Sequence, residues 1–109
     1  RSPPTSTSRA FTDMEFDKLV HQPTRLRIFA YLYQHGVASF PELKKELDVT
    51  EGNLSSHLGK MEDAACVHVE KQFVDRRPMT TYELTDDGRE KFEEHIDTLE
   101  ALIGQLDGE

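Results

Sequence analysis

Two segments in the middle of the chain carry side chains whose types and spacing suit them to hold nucleic acid. The turn over residues 74–78 places Arg76 and Arg77 side by side, and residues 50–60 carry amide, hydroxyl and ammonium groups. Guanidinium groups bind phosphate oxygens or enter the minor groove, whereas amides, hydroxyls and ammonium groups can read base edges in the major groove. The residues predicted to contact double-stranded DNA are Ser39, Lys44, Lys45, Thr50, Asn53, Ser56, Lys60, Lys71, Arg76, Arg77 and Thr80.

Two short helices must position the polar segment. One is predicted from Phe40 to Leu47, with a capping signature at Ser39, and the other from Thr50 to Ala64, with Thr50 as its N-cap. Only two residues separate them, so they must pack at a sharp angle, as in a helix-turn-helix. The helical period predicts that the second helix turns an apolar stripe to the core and its polar side chains away from it. The predicted stripe consists of Leu54, Leu58, Met61 and Ala65.

An ordinary solvated helix surface is the alternative interpretation of this polar face. No arginine projects from it, so the side chain that most often reads guanine is missing. His57 lies beside the apolar stripe, and we predict a packed or capping histidine rather than a base reader.

A hairpin is predicted directly after the helix pair. Strands from Val67 to Phe73 and from Met79 to Leu84 flank the basic turn. Two helices followed by such a hairpin are the order of a winged helix, in which one helix enters a DNA groove and a basic loop lies on the backbone. The alternative for the turn is a solvated hairpin tip. The predicted fold class is α+β, mostly α: a winged helix-turn-helix with a long C-terminal dimerisation helix.

The N-terminal part is predicted to hold a tail and two helices. Residues 1–10 have almost no apolar content and are predicted to be a disordered tail. Thr12-Asp-Met-Glu15 is a capping box for a short helix that extends to about Val20. The next helix begins near Pro23 and ends before Gly36. Its predicted core face consists of Leu26, Phe29, Ala30 and Tyr33.

The last helix is predicted over about residues 85–106, with Thr85 as its N-cap. Its apolar residues step by four, three, four and three, which is the spacing of a heptad seam. We interpret the helix as a dimerisation element assisted by the short N-terminal helix. Packing on the core of its own chain is the alternative. The predicted dimer-interface residues are Met14, Phe16, Leu19, Phe92, Ile96, Leu99, Ile103 and Leu106.

The charge of the chain constrains DNA binding. The formal net charge is −8, whereas neutralisation of phosphates is the main source of DNA affinity. Seven acidic residues and one lysine lie between residues 90 and 109, which leaves −2 for residues 1–89. An acidic C-terminal helix that faces away from DNA would reconcile the two observations. This charge balance predicts that the affinity for DNA is modest and strongly salt-sensitive, or that the acidic surface is an adaptation to a high-salt cytoplasm.

Enzymatic, metal-binding and membrane functions find little support in the sequence. A single cysteine, Cys66, excludes an internal disulfide and a cysteine-rich zinc site, and we expect it to be buried. The five histidines lack metal-ligand spacing, and no phosphate-binding glycine loop or Gly-x-Ser-x-Gly elbow is present. No apolar run approaches the roughly 20 residues of a membrane span. We therefore expect a cytoplasmic, non-enzymatic protein with no metal and no cofactor.

Four blocks of the sequence resemble a known group of proteins. They are Gln22-Pro-Thr-Arg-Leu-Arg-Ile-Phe-Ala-Tyr-Leu32, Phe40-x-x-Leu43, Gly52-Asn-Leu-Ser-Ser-His-Leu58 and Arg77-Pro-Met-Thr-Thr-Tyr-Glu-Leu-Thr-Asp-Asp-Gly-Arg89. Over about residues 18–103 the chain is similar to small winged-helix transcriptional regulators related to the MarR (multiple-antibiotic-resistance) and ArsR (arsenical-resistance) families. The resemblance implies homodimers that bind operator DNA, usually as repressors, with the helix over 50–64 in the major groove and the wing over 76–78 beside it.

The chain also departs from that group. Such regulators often carry Gly-Tyr where this chain has Ala65-Cys66, and basic residues where it has Ser56 and Gly59. The cysteine cluster of metal-sensing relatives is absent, so metal sensing is not implied. The competing interpretation is a winged helix used as a protein-interaction module that docks through its acidic C-terminal helix. In either case residues 11–109 form one domain, and any small-molecule effector is unknown.

Overall fold

The computed structural model describes residues 18–107, which fold as four helices and a three-stranded antiparallel sheet. This is the predicted winged helix-turn-helix of the α+β class. The predicted tail and the start of the predicted helix at Thr12 lie outside the described residues, and residues 18–20 form a turn. The elements are α1 (Pro23–His35), β1 (Val37–Ser39), α2 (Phe40–Leu47), α3 (Glu51–Asp63), β2 (Val67–Val74), β3 (Arg77–Leu84) and α4 (Asp86–Asp107).

The sheet has the strand order β1-β3-β2, with β1 as an additional edge strand that the sequence did not predict. Ala38 at its centre pairs with Tyr82 and is buried. A strand of three residues between a glycine and a helix cap is too short to show an alternating apolar pattern. Its function in the fold is to pair the free side of β3 and to lead the chain directly into α2.

Side-chain oxygens cap all four described helices, and each accepts a hydrogen bond from a backbone N–H in the first turn. The three caps predicted from sequence, those of α2, α3 and α4, are confirmed. The fourth was not predicted, because glutamine is not a common capping residue. The bonds are Gln22 Oε1 with Arg25 N at 2.8 Å, Ser39 Oγ with Glu42 N at 3.2 Å, Thr50 Oγ1 with Asn53 N at 3.2 Å, and Thr85 Oγ1 with Gly88 N at 3.0 Å.

The core face of α1 differs from the predicted one. Ala30 and Tyr33 are exposed, whereas Ile28 and Leu32 are fully buried beside Phe29. The larger aliphatic side chains cover more apolar surface than an alanine does, and they determine which face of the helix turns inward. The buried apolar residues are Val20, Ile28, Phe29, Leu32, Ala38, Leu43, Leu47, Leu54, Leu58, Met61, Cys66, Val67, Leu84 and Phe92.

The end of α3 is a Schellman motif whose left-handed residue is an alanine. The N–H of Ala65 donates to the carbonyl of Glu62 at 2.9 Å, and the N–H of Cys66 donates to that of Met61 at 2.8 Å. Ala65 has φ 60 and is exposed, so its predicted place in the apolar stripe is wrong. Cys66 is fully buried, as predicted. The helix therefore stops in the geometry usually given by glycine, but without a glycine.

The hairpin is longer and its turn tighter than predicted. Strand β2 continues to Val74, and β3 already begins at Arg77, which pairs with Val74. The turn therefore consists of Asp75 and Arg76 alone, with φ values of 53 and 67. Two central residues with positive φ are the geometry of a type I′ turn, because its twist matches that of the flanking strands. The predicted five-residue turn thus becomes a two-residue tip.

Helix α4 is fixed to the rest of the domain at its first turn. The Thr85 hydroxyl donates to the carbonyl of Ala65 at 2.7 Å, and the Thr85 N–H donates to that of Cys66 at 2.9 Å. A Cβ atom on Gly88 would lie 2.1 Å from the Cys66 carbonyl oxygen, so only glycine permits this approach. Within residues 18–107 no helix, including this one, is both long and apolar enough to cross a membrane.

Candidate nucleic-acid interface

Helices α2 and α3 form a helix-turn-helix, and each of them turns one apolar face to the core. Leu43 and Leu47 of α2 and Leu54 and Leu58 of α3 are buried. Between the helices Asp48 adopts the left-handed conformation, with φ 54, and this reverses the chain within a connection of three residues, one more than predicted. The apolar contacts leave the opposite face of α3 open to solvent.

That open face of α3 is small and polar. Asn53, Ser56 and Lys60 are all exposed, as the sequence predicts, and Gly52 and Gly59 lie on the same side. The three polar residues span about 10 Å along the helix axis, at 1.5 Å per residue. The glycines leave the backbone accessible between the three side chains. The face therefore combines hydrogen-bonding groups with room for a close approach.

The polar residues predicted on α2 and at its start have different environments. Lys44 and Lys45 are exposed. Ser39 is half-buried, and its hydroxyl caps α2, so it holds the first turn of that helix in place. Thr50, which is exposed, does the same for α3. The two caps thus orient the helix N-termini, whose partial positive charge favours an anion nearby.

The Arg25 side chain of α1 contacts both the turn over residues 18–20 and the inner side of α3. Its Nε donates to the carbonyl of Leu19 at 2.7 Å, and its Nη2 donates to that of Lys18 at 3.3 Å. Its Nη1 lies 3.1 Å from Nδ1 of His57. Since a guanidinium only donates, His57 accepts at Nδ1 and carries its proton on Nε2. Sequence reasoning missed this contact, because nothing in the pattern joins residues of α1 and α3.

His57 is held in its neutral form by its surroundings. Burial, and then the positive charges of Arg25 and Lys60, lower the pKa of the imidazole below its ordinary value. Protonation would remove the lone pair that accepts from Arg25. The contact with Arg25 confirms the prediction that His57 is a packed residue.

Two further side chains of α1 brace α2. The Arg27 guanidinium donates to the carbonyl of Leu47 at the end of α2. The Tyr31 hydroxyl donates to Oε2 of Glu42 in its first turn, at 2.5 Å. That hydrogen bond, followed by burial and the charge of the carboxylate, raises the pKa of Tyr31 to about 12. Helix α2 is therefore held at both ends by α1, which fixes the platform from which α3 projects.

The hairpin, here called the wing, presents two chemically different faces. Side chains alternate along a strand, and cross-strand partners share a face. Lys71 pairs with Thr80 on the face that covers the core nearer the base of the hairpin, where Val67 and Leu84 are buried. Arg77 belongs to the opposite face. The predicted wing residues are thus divided between two faces, with Arg76 at the tip; Lys71, Arg76 and Arg77 are exposed and Thr80 is half-buried.

The predicted dimer residues divide along α4. Phe92 is 8% exposed and stacks on Phe29, with ring centroids 6.1 Å apart. Leu19 and Ile96 pack against the same core. Towards the end of the helix, Ile103 is 55% exposed and Leu106 is 71% exposed. Leu99 is half-buried, and Met14 and Phe16 lie outside the described residues.

A shallow groove lies between α1 and α4. It has a volume of about 260 Å³ and is lined by Tyr33, Phe92, Glu93, Ile96, Asp97 and Glu100. The Tyr33 hydroxyl donates to Oε2 of Glu93 at 2.6 Å, which raises the pKa of Tyr33, and Arg89 lies over its ring at 5.3 Å. Sites for small molecules usually have volumes of roughly 300–1,000 Å³. The acidic rim places this groove among the surfaces least suited to DNA.

The arrangement of a helix pair followed by a hairpin and a long helix is shared with known proteins. The winged helix DNA-binding domain family matches residues 24–103, which include all but the first residue of α1, then α2, α3, the sheet and most of α4. The chain belongs to this family. It is thus a member of a family of DNA-binding domains rather than of enzymes.

Individual proteins are similar to this chain over most of its length. An uncharacterised protein of Methanocaldococcus jannaschii is 34% identical over 79 residues, which are 72% of this chain and 86% of that protein. A transcriptional regulator homologue of Pyrococcus horikoshii is 33% identical, with a TM-score of 0.83 over 91% of this chain and 98% of its own. A MarR-family regulator from Enterococcus faecalis is 23% identical, with a TM-score of 0.69 over 96% of this chain and 92% of its own, and shares the fold.

Proposed function

We propose that this chain is a sequence-specific regulator of transcription that binds operator DNA as a homodimer and represses by occupying the operator. The α3 face of Asn53, Ser56 and Lys60 would read base edges in the major groove. Lys44 and Lys45 of α2 and the arginines of the wing would hold phosphates or the adjacent minor groove. Ser39, Thr50, Lys71 and Thr80 would add backbone contacts beside them.

The observation that carries this proposal is the conformation of the wing tip. Arg76 has φ 67 at a position where glycine or asparagine is usual, and left-handed backbone costs other residues about 1–2 kcal/mol. A solvated turn would be more stable with glycine. An arginine kept there at the expense of stability supports a function for the guanidinium at the tip, and phosphate or minor-groove binding is the chemistry that a tip guanidinium serves best.

A homodimer is supported by the uneven burial of α4. Its first half packs into the core, whereas Ile103 and Leu106 extend beyond it with most of their apolar surface in water. A second copy of the helix would cover these side chains. Two-fold symmetry would then place two α3 helices about one turn of DNA apart, roughly 34 Å, and would double the contact area.

The second candidate function is a protein-interaction module, and the acidic α4 favours it. The net charge of −8 and the carboxylates along this helix suit a basic protein partner better than they suit DNA. In that case the wing arginines would be solvated, and the affinity for duplex DNA would be negligible.

Fluorescence anisotropy distinguishes the two functions. The protein is titrated into a labelled duplex from upstream of its own gene and into a scrambled duplex of equal composition, each across a salt series. The regulator predicts tighter binding to the upstream duplex, with an affinity that falls steeply with salt. Absence of binding to both duplexes at low salt would overturn the proposal and favour the protein-interaction module.

A further inference from the structure

The wing carries an aromatic side chain that the fold does not use. Phe73 is 76% exposed, more than any other large apolar side chain in the described part of the chain. It lies in β2, three residues before Arg76 at the tip. Its cross-strand partner is Pro78, which is also exposed. The two rings form a small apolar surface immediately behind the wing tip.

This surface faces the same side as the DNA-facing helix pair. Phe73 and Pro78 lie on the face of the hairpin that continues from buried Val67 and Leu84, and therefore on the side where the helices pack. Lys71 and Thr80 occupy the next paired positions on this face. The opposite face carries Val74, which is 43% exposed, beside Arg77.

The charge around the apolar pair indicates what could cover it. Two cationic side chains, Lys71 and Arg76, flank the Phe73–Pro78 pair. A surface complementary to the pair would therefore carry negative charges with apolar groups between them. The minor groove of DNA has this composition, since C–H groups of deoxyribose line its walls between the phosphates. Apolar side chains are an established means of contact with this groove.

We propose that the Phe73–Pro78 face packs against deoxyribose in the minor groove beside the point where Arg76 enters it. This inference rests on the proposed DNA-binding function and adds a contact that is apolar rather than ionic. It gives a chain with a net charge of −8 a source of affinity that does not depend on phosphate neutralisation. Affinity from this source persists when salt screens the ionic contacts.

Three variants test the inference in the full chain by the anisotropy assay on the upstream duplex across a salt series. Phe73→Ala is expected to weaken binding roughly five- to tenfold at every salt concentration, with an unchanged salt slope, because the lost contact releases no counterions. Phe73→Leu is expected to retain most of the affinity. Val74→Ala, on the opposite face of the same hairpin, is the matched control and is expected to bind like the unaltered chain.

The outcomes separate this inference from the proposed function. Unchanged binding by Phe73→Ala, or an equal loss in Val74→Ala, would overturn the minor-groove contact while DNA binding stands. Failure of the unaltered chain to bind any duplex would overturn both. The Phe73–Pro78 face could instead contact a second protein chain, and sedimentation of the Phe73→Ala protein without DNA tests this. A mass that differs from that of the unaltered chain would assign the face to a protein contact and contradict the inference.

Discussion

The guanidinium of Arg25 lies 3.1 Å from Nδ1 of His57 and thereby joins the N-terminal turn to the proposed DNA-reading helix. The same side chain holds the carbonyls of Lys18 and Leu19. Helix α3 is therefore fixed from its inner side, and its outer face remains available for a ligand. The contact can exist only while His57 is neutral, so it depends on pH.

The stability of the protein should decrease as the pH falls through and below the ordinary histidine pKa of 6.5. The pKa of His57 is lowered in the folded state, so the unfolded state takes up a proton first and is favoured at lower pH. The stabilisation is complete above pH 6.5 and is lost towards the lowered pKa. Thermal melts between pH 8 and pH 5 measure this loss of stability. The variant His57→Asn keeps a hydrogen-bond acceptor near the position of Nδ1 but cannot be protonated there, so its stability should fall less over the same pH range. Equal pH dependence in both proteins would contradict this role of His57.

Replacement of Ala65 by glycine should stabilise the protein by about 1 kcal/mol. Ala65 has φ 60 in the Schellman motif that ends α3, and glycine adopts this conformation without the steric penalty of a Cβ atom. The gain is partly offset by the greater backbone entropy of glycine in the unfolded chain. Urea denaturation measures the free energy of unfolding. A loss of stability would indicate that the exposed Ala65 methyl group makes a favourable contact.

Two glycines of α4 should respond to alanine in opposite ways. Gly88→Ala should destabilise the fold by about 1–3 kcal/mol, because its Cβ atom would meet the backbone of Cys66. Gly104→Ala is the matched control, since a Cβ atom there meets nothing within 4 Å, and it should stabilise the helix by about 0.5–1 kcal/mol. The same denaturation experiment compares them. Similar effects at both positions would refute the close approach at Gly88.

Arg77 and Asn53 should contribute to DNA binding in different ways. Arg77→Ala should weaken binding to all duplexes and flatten the salt dependence, because a phosphate contact carries no sequence information. Asn53→Ala should relax the preference at one base position, with a loss of about 1–3 kcal/mol on the preferred duplex. Anisotropy with a set of single-base variants of the upstream duplex resolves the two effects. An equal loss across all sequences for both variants would rule out this division.

The proposed dimer should depend on the exposed end of α4. Ile103→Glu and Leu106→Glu together should shift the protein to a monomer, because carboxylates at these positions cannot be buried without a partner. Gln105→Glu, which adds charge at a neighbouring exposed position, is the control and should leave the mass unchanged. Analytical ultracentrifugation gives the masses. A dimer in the double variant would place the interface elsewhere.

The fold could be predicted because its signals are local. Caps at Ser39, Thr50 and Thr85 and the spacing of leucines fix the helices within a few residues of their observed bounds. Errors arose where a choice depended on distant contacts. Whether Ala30 or Leu32 faces inward is decided by what α1 meets, and α1 alone does not contain that information.

The site could be predicted only in outline. Polar residues on the free face of α3 follow from the helical period, and the basic wing follows from composition. The link between Arg25 and His57 joins positions 32 apart and has no sequence signature. The turn length was also unpredictable, because Asp75 and Arg76 are not the Asn-Gly pair that usually signals a two-residue tip.

The contacts upstream of α1 have a consequence for where the folding unit begins. The segment shared with the family starts at residue 24. Val20 is fully buried, Gln22 caps α1, and the carbonyls of residues 18 and 19 hold Arg25. A fragment cut to the shared segment would lose these contacts and with them the inner support of α3. The unit that folds stably is therefore expected to begin before residue 24 and to include the turn over residues 18–20.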